Sequence, residues 1–451
     1  MKKLTKKVTA LLALVSAGLG ALHRYRVKST RGAVLSPLKM VAGALSPLLT
    51  VGGAVSATLG VLVRSPFAVV LGLLGTALSA DYVWRVLTPH HPFDQRAGKG
   101  ERSALPARRR ARMRSRRWRP GLPQSGEPHW TRDVPFWTIP GTERQLLCDI
   151  WQPPAGVTPS GLAILYFHGS GWHFLDKDVA TRPMFRHLAA QGHVIMDVAY
   201  RLCPEVNWRE MAGDPKRAVA WMKAQAANYN VDPQRIVLAG GSAGGHLALL
   251  TAYAPHQPEM TPDDVAEADL SVGGVVSWYG PTDMRLYYEY ARTLFDTKVG
   301  PIAPESTAWL TDRIVESLGF EMRLPETWKP EQIVHEAMME GLLGGAPKEA
   351  PLAYRLFSPV EHVGPHCPPT LLLQGEHDPI TSAAGVRQMA QMLREAGVCS
   401  VYVEYPQTEH AFDLILPHIS PPAQAALYEV DHFLARLVTG AASDLNRRRC
   451  G

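Results

Sequence analysis

The sequence predicts an α/β fold: a mostly parallel sheet with helices on both faces and an inserted helical lid, preceded by an N-terminal apolar helical segment. Three observations carry this expectation. Short apolar runs ending at Phe167, Ala239 and Gln374 alternate with helix-period segments, the pattern of strands buried on both faces. The pentapeptide Gly240-Gly241-Ser242-Ala243-Gly244 joins one such run to a helical pattern. Composition changes abruptly near residue 88, and three apolar stretches precede that point.

Residues 1–90 read as a membrane anchor. Val8 to Leu22 is short and follows Lys2, Lys3, Lys6 and Lys7. Val41 to Val63 carries no charge and is long enough, at ~1.5 Å per helical residue, to cross a ~30 Å hydrocarbon core. Phe67 to Leu87 is long enough too, with Asp81 and Arg85 spaced to pair and Tyr82 and Trp84 suited to an aromatic belt. Arg64-Ser65-Pro66 separates the two as a turn, and Gly53, Ala57, Gly60, Gly72 and Gly75 would let the helices approach closely. The expectation is a two-helix hairpin with Val8 to Leu22 interfacial or re-entrant. If that first stretch spans or is cleaved, the rest of the chain lies on the other side. A soluble helical cap is the alternative to an anchor, disfavoured by the uncharged run.

Residues 91–130 form an Arg-rich linker. Between Arg96 and Arg119 eleven Arg or Lys residues face one acid, Glu101, a local charge of +10 in a chain of +6, so the remainder carries −4. Beside a membrane segment such a run suits anionic lipid headgroups or simply sets topology, so nucleic acid is not an expected partner. The positive-inside rule puts the cationic flanks, and with them the C-terminal domain, in the cytoplasm. Five scattered cysteines (Cys148, Cys203, Cys367, Cys399, Cys450) suggest free thiols in a reducing compartment. Neither a metal-ligand spacing nor a phosphate-binding loop is present, so no cofactor is expected.

Residues 131–440 carry the chemistry, and 441–451 form a polar tail. A strand, a G-x-S-x-G turn and a helix lift a serine hydroxyl above a sheet edge, beside a helix N-terminus that favours negative charge. Serine is a weak nucleophile and needs a base, an acid to orient that base, and donors for the oxyanion. Asp378 follows the strand ending at Gln374, with Glu376 and Asp413 as alternative acids. His410 follows the next strand, Ser400 to Tyr405. Upstream, Leu162 to Phe167 runs into His168-Gly169-Ser170-Gly171-Trp172, a turn able to aim backbone N–H groups at one point. His173 and His377 are expected to line the pocket, and His246 to be packed. Between Val272–Gly280 and Pro369 the chain is too long for a plain crossover, so a lid is expected at about 285–350.

From about Pro135 to Thr439 the chain resembles the hormone-sensitive-lipase-like carboxylesterases of the α/β-hydrolase superfamily. The resemblance includes Asp197-Val198-Ala199-Tyr200-Arg201-Leu202-Cys203-Pro204-Glu205, Asp214 and the elbow itself. It implies Ser242 as nucleophile, His410 as base and then acid, Asp378 as its partner, and the N–H groups of Ser170, Gly171 and Ala243 as oxyanion donors. His168, Gly169, Gly240 and Gly244 would support the motifs. Two positions depart from the family: Ser170 replaces a glycine of the oxyanion turn, and Gly241 stands where many members have Asp. The expected activity is hydrolysis of small or lipid-like carboxylic esters through an acyl-enzyme. An amidase or formamidase, or a non-catalytic binding protein on the same fold, remain alternatives. All the implied residues lie downstream of Gly121, so the anchor is expected to be dispensable for the site.

Overall fold

The computed structural model describes residues 2–27, 35–88, 106–115, 117–122, 126–169, 171–178, 180–294 and 335–439. Eight strands form one sheet: β1 (His129–Thr138), β2 (Gln145–Gln152), β3 (Ala163–Phe167), β4 (Val194–Val198), β5 (Ile236–Gly241), β6 (Gly274–Trp278), β7 (Thr370–Gly375) and β8 (Ser400–Tyr405). Their spatial order is β1-β2-β4-β3-β5-β6-β7-β8, antiparallel at β1–β2 and β2–β4 and parallel from β4 onward. Every residue of β3, β5 and β7 is buried, because helices cover both faces. Alternation then splits each strand between two layers. Ala163, Leu165 and Phe167 of β3 face one apolar cluster, and Ile164 and Tyr166 face the other.

Thirteen helices are described. The N-terminal head comprises α1 (Lys2–Leu22), α2 (Ser36–Ala44), α3 (Ser46–Leu62) and α4 (Pro66–Leu87), and the linker contributes α5 (Ala107–Arg112). The hydrolase-like region holds α6 (Arg182–Ala189), α7 (Trp208–Gln225), α8 (Ala243–Tyr253), α9 (Met284–Leu294), α10 (His335–Leu343), α11 (Pro351–Leu356), α12 (Ala383–Glu395) and α13 (Pro421–Thr439). Helices α9 and α10 fall in the expected lid and are joined by Tyr288 Oη donating to Glu340 Oε1 at 2.7 Å and by an Arg292–Glu336 ion pair at 2.7 Å. The rest of the lid, 295–334, lies outside the described residues, as does the tail from 440.

The head differs from the expected hairpin in two ways. The uncharged stretch is not one helix: α2 and α3 meet at 77° around Leu45. Pro47, at the first turn of α3, has no N–H to donate four residues back to Gly43 O, and its ring crowds that carbonyl, so a continuous helix fails there. The first stretch is instead a full helix, and α1 and α4 are each long and apolar enough to cross a membrane, with the bent α2–α3 pair as a third candidate. Arg64, at φ 52°, does make the turn between α3 and α4. Among the described residues, every exposed large apolar side chain except Leu352 and Leu416 lies in the head. Its small residues are where the helices touch.

The linker is not merely solvated. Arg114 is buried, its backbone N–H donates to Asp431 of α13, and its guanidinium donates to Gly121 O at 2.7 Å and to Gln424. Asp431 also accepts from Gln191 at 2.7 Å and faces His187 at 2.9 Å. The head packs on the domain as well: Tyr82 and Val86 of α4 share an apolar cluster with Trp278, Tyr405 and Phe412.

At Gly72 an added Cβ would lie 2.6 Å from Ala57 N and 2.7 Å from Gly53 O, whereas at Gly52 it would meet nothing within 4 Å. Overpacking of this kind costs about 1–3 kcal/mol. Gly72→Val is therefore expected to lower the melting temperature of the detergent-solubilised protein by several degrees, and Gly52→Val to leave it nearly unchanged. Equal effects would show that α3 and α4 do not meet at this face.

Candidate active site

Strand β5 ends in the elbow. Ser242 has φ 53° and ψ −122°, angles a residue with a side chain holds only under constraint from its surroundings. The constraint is steric. A Cβ at Gly244 would lie 1.9 Å from Phe167 O, and one at Gly240 would lie 2.4 Å from the Gly244 carbonyl carbon. Only glycine at both places lets the chain reverse so tightly against the end of β3. Ser242 N–H donates to Trp278 O at 2.9 Å, tying the turn to β6. Ala243 opens α8, whose first-turn N–H groups have no acceptor within the helix.

Upstream, the turn after β3 lies against this elbow: a Cβ at Gly169 would be 2.9 Å from Gly241 O and 3.3 Å from Ser242 Cβ. Gly171 has φ +58°, and its carbonyl lies 2.7 Å from His173 Nδ1, which braces the peptide. Ser170 lies outside the described residues. His168 is buried and stacked on Tyr200 at 4.4 Å, and burial pushes its pKa down to about 4. His246 accepts from Trp172 Nε1 at 3.3 Å and donates to Phe357 O at 2.7 Å, a packed neutral histidine as expected. Arg201 donates to Asp214 through Nε, Nη2 and its own backbone N–H at 2.8–3.0 Å, clamping the segment after β4 to α7.

Asp378 and His410, the acid and base expected from the sequence, follow β7 and β8, the last two strands of the sheet. His410 Nδ1 stands 2.8 Å from Asp378 Oδ2. Asp378 is 2% exposed, yet both its oxygens are well served. Oδ1 accepts from the N–H groups of Ile380 and Thr381, each at 2.8 Å, and Oδ2 also accepts from Gln374 Nε2 at 3.0 Å. A carboxylate so held can keep its charge out of water and orient the ring. Nε2 of His410 is then the nitrogen left for a nucleophile. Among the described residues no hydrogen bond joins it to Ser242 Oγ, a distance that often closes only with substrate bound.

The alternative acids do other work. Glu376 Oε2 accepts from Gln407 N–H at 2.8 Å, bracing the base loop. Asp413 accepts from Tyr279 Oη, and the Tyr279 ring lies 4.4 Å from the His410 ring. The sequence reading missed Gln374 and Tyr279. A polar residue closing an otherwise apolar strand was the available signal for the first; nothing local marked the second. Tyr279 also fills the space beside Gly241, where a Cβ would meet its hydroxyl at 3.1 Å.

Burial raises the Asp413 pKa from 3.8 to about 6, only partly offset by the Tyr279 hydrogen bond. A carboxyl that holds its proton more tightly folded than unfolded weakens the fold as pH rises from 3.8 through about 6, and the penalty is complete above that. Asp413→Asn is expected to stabilise the protein at pH 7.5 by roughly 1–2 kcal/mol, below the roughly 3 kcal/mol of a full two-unit shift because the carboxyl is not sealed from solvent. At pH 4 the gain should vanish. Melting curves at the two pH values check this, and a gain independent of pH would contradict it.

Comparison with known proteins finds two family models and several proteins named as esterases. Residues 148–328 match the family model described as BD-FAE, and 355–416 match that described as TAP-like protein. The chain is 30% identical over 292 residues to a Mycobacterium tuberculosis protein named as a probable carboxylic ester hydrolase, LipM, covering 64% of this chain and 58% of that protein. It is 28% identical over 342 residues to esterase LipQ of the same organism, covering 74% and 66%. The chain thus spans less than two thirds of these relatives' length. A solved structure, Thermogutta terrifontis esterase 2, is 23% identical over 67% of this chain and 90% of its own, with a TM-score of 0.49. The two matched segments supply the strands that bring Ser242, Asp378 and His410 to one edge of one sheet, and the chain is similar over them to α/β-hydrolase carboxylesterases.

Proposed function

We propose that the chain is a serine hydrolase that cleaves small or lipid-like carboxylic esters through an acyl-enzyme, tethered to a membrane by its N-terminal head. The observation that carries the reading is the pairing of a strained Ser242 elbow with a fully satisfied Asp378–His410 couple. Ser242 Oγ attacks the ester carbonyl carbon as its proton passes to His410 Nε2. The carbonyl oxygen becomes an oxyanion, held by the N–H groups of Ala243, Gly171 and Ser170 and favoured by the N-terminal end of α8. Collapse of this intermediate breaks the C–O bond to the alcohol, which leaves with the proton from His410. Water, deprotonated by the same nitrogen, then attacks the acyl-serine. Its collapse releases the acid and returns the proton to Ser242. Asp378 stays ionised throughout and keeps the ring's Nδ1 protonated and aimed.

Ser242→Ala is expected to abolish ester hydrolysis and labelling by a fluorophosphonate while the protein still pellets with membranes. Asp378→Asn should lower kcat by about 10⁴-fold with the fold intact, because it favours the wrong tautomer of His410. Undiminished labelling of the alanine variant would move the nucleophile elsewhere. The same kcat loss from Glu376→Gln but not from Asp378→Asn would reassign the acid.

The head supports the membrane part of the reading, since it combines helices of spanning length with nearly all the exposed large apolar side chains. Helices α1, α3 and α4 pack together, with Lys6 Nζ donating to Arg64 O at their far end. At the domain end Arg24 and Arg85 pair with Asp81, Lys39 with Glu409, and Arg112 and Arg114 bond to the domain, and this cationic group favours a cytoplasmic domain. With Glu143→Cys, an exposed position on the domain, an impermeant maleimide should react only after the cells are opened. Ready labelling in intact cells would reverse the orientation, and release of the protein by high salt alone would refute the tether.

A further inference from the structure

The proposed chemistry does not use the most unusual polar cluster in the molecule. Lys39, the one charged residue of α2, is buried with its side chain only 2% exposed, and its partner Glu409 is only 1% exposed. Glu409 immediately precedes His410. The Lys39 ammonium lies 3.2 Å from Glu409 Oε1 and donates to His377 Nδ1 at 2.9 Å and to Tyr25 O at 2.6 Å. His377 immediately precedes Asp378. One cation therefore touches the neighbour of the base and the neighbour of the acid. Ser36, one turn earlier on α2, donates to the other Glu409 oxygen.

Further contacts lie around this cluster. Tyr82 of α4 and Thr408 share a hydrogen bond at 3.1 Å, and Thr408 O accepts from His377 N–H at 2.9 Å. The two loops are thus joined to each other and, at three places, to the head. An ion pair taken this far from water costs several kcal/mol in desolvation before its attraction is counted, so it is a poor device for stability alone. What it does supply is a defined geometry: the ammonium donates to two acceptors in fixed directions, and the Glu409 carboxylate, held by Ser36, stands 3.2 Å from the same charge. His410 must be held to a fraction of an ångström to pass a proton in both directions.

We propose that Lys39 is a positioning residue of the active site: from the membrane-like head it holds the loops carrying Asp378 and His410 in register through His377 and Glu409. The head is then part of the working enzyme and not only its tether, which reverses the expectation that the domain downstream of Gly121 is self-sufficient. This rests on the serine-hydrolase reading above.

The test uses the full chain in detergent micelles and counts only the hydrolysis of p-nitrophenyl esters that Ser242→Ala removes. A wild type without such activity would speak against the serine-hydrolase reading and leave no signal to assign to Lys39. Lys39→Met should lower kcat about tenfold or more with KM within about threefold, since the oxyanion and pocket groups are untouched. Glu409→Gln should do the same by leaving the ammonium unpaired. The double variant removes both buried charges and should recover about threefold or more over either single variant. The rate of fluorophosphonate labelling should follow kcat. A folded Lys39→Met protein with unchanged kcat, a change confined to KM, or simple addition of the two losses in the double variant would each overturn the proposal. If melting curves show that Lys39→Met does not fold, Ser36→Ala decides: it removes one hydroxyl from Glu409, and an unchanged kcat would overturn the proposal.

Discussion

The closest approach on which the site depends is that of Gly244 to the end of β3. With 1.9 Å between an imagined Cβ and Phe167 O, no other residue can stand there without separating α8 from the sheet. That contact determines where α8 begins, and so where the Ala243 N–H points and how far Ser242 rises above the strand. It also places the β3 turn against the elbow, where a Cβ on Gly169 would lie only 2.9 Å from Gly241 O. Nucleophile and oxyanion turn are therefore one steric unit. Their relative position follows from backbone packing on a buried parallel sheet, which side-chain motion cannot loosen.

The acid and base are placed by a different kind of constraint. They stand on the loops after β7 and β8, which the parallel register Gln374–Glu404 and Gly375–Tyr405 brings side by side. Loops are softer than a strand-to-helix turn, and here hydrogen bonds replace the missing steric fit. Gln374 and the Ile380 and Thr381 N–H groups hold Asp378, while Glu376 holds the start of the base loop. The carboxylate's four hydrogen bonds fix both of its oxygens, and so the direction in which Oδ2 faces the His410 ring.

This division explains what could be read from the sequence. The elbow, Asp378 and His410 announce themselves locally, because each follows an apolar run long enough to be a buried strand, and glycines mark the two turns. The packed role of His246 was equally legible. Contacts made across the chain were not. Nothing near Lys39 indicates a partner 370 positions away, and Arg114 looks like its neighbours in an arginine run although its guanidinium and backbone N–H reach Gln424 and Asp431. The bend at Leu45 was missed for another reason: composition measures apolarity, while the break comes from the N–H that Pro47 lacks and from its ring crowding the carbonyl four residues back. The oxyanion serine, Ser170, falls outside the described residues, so its family role rests on resemblance.

The head raises a question of economy in its use of charge. Helices whose exposed side chains are Leu11, Val51, Phe67, Val70 and Leu73 are made for an apolar surround, and a lysine among them is costly wherever it is not paired. Lys39 is tolerated because the domain brings an anion to it, and Glu409 is tolerated for the reciprocal reason. Neither half would keep its charge comfortably if the other were absent. Head and loops are thus thermodynamically coupled: whatever stabilises the docked head, a surrounding bilayer included, also stabilises the loop arrangement that the ion pair requires, by an amount set by its preference for the docked over the undocked state. On the proposed reading, Asp378 and His410 are best ordered when the head is seated, because the seated head is what brings the ammonium to Glu409 and His377.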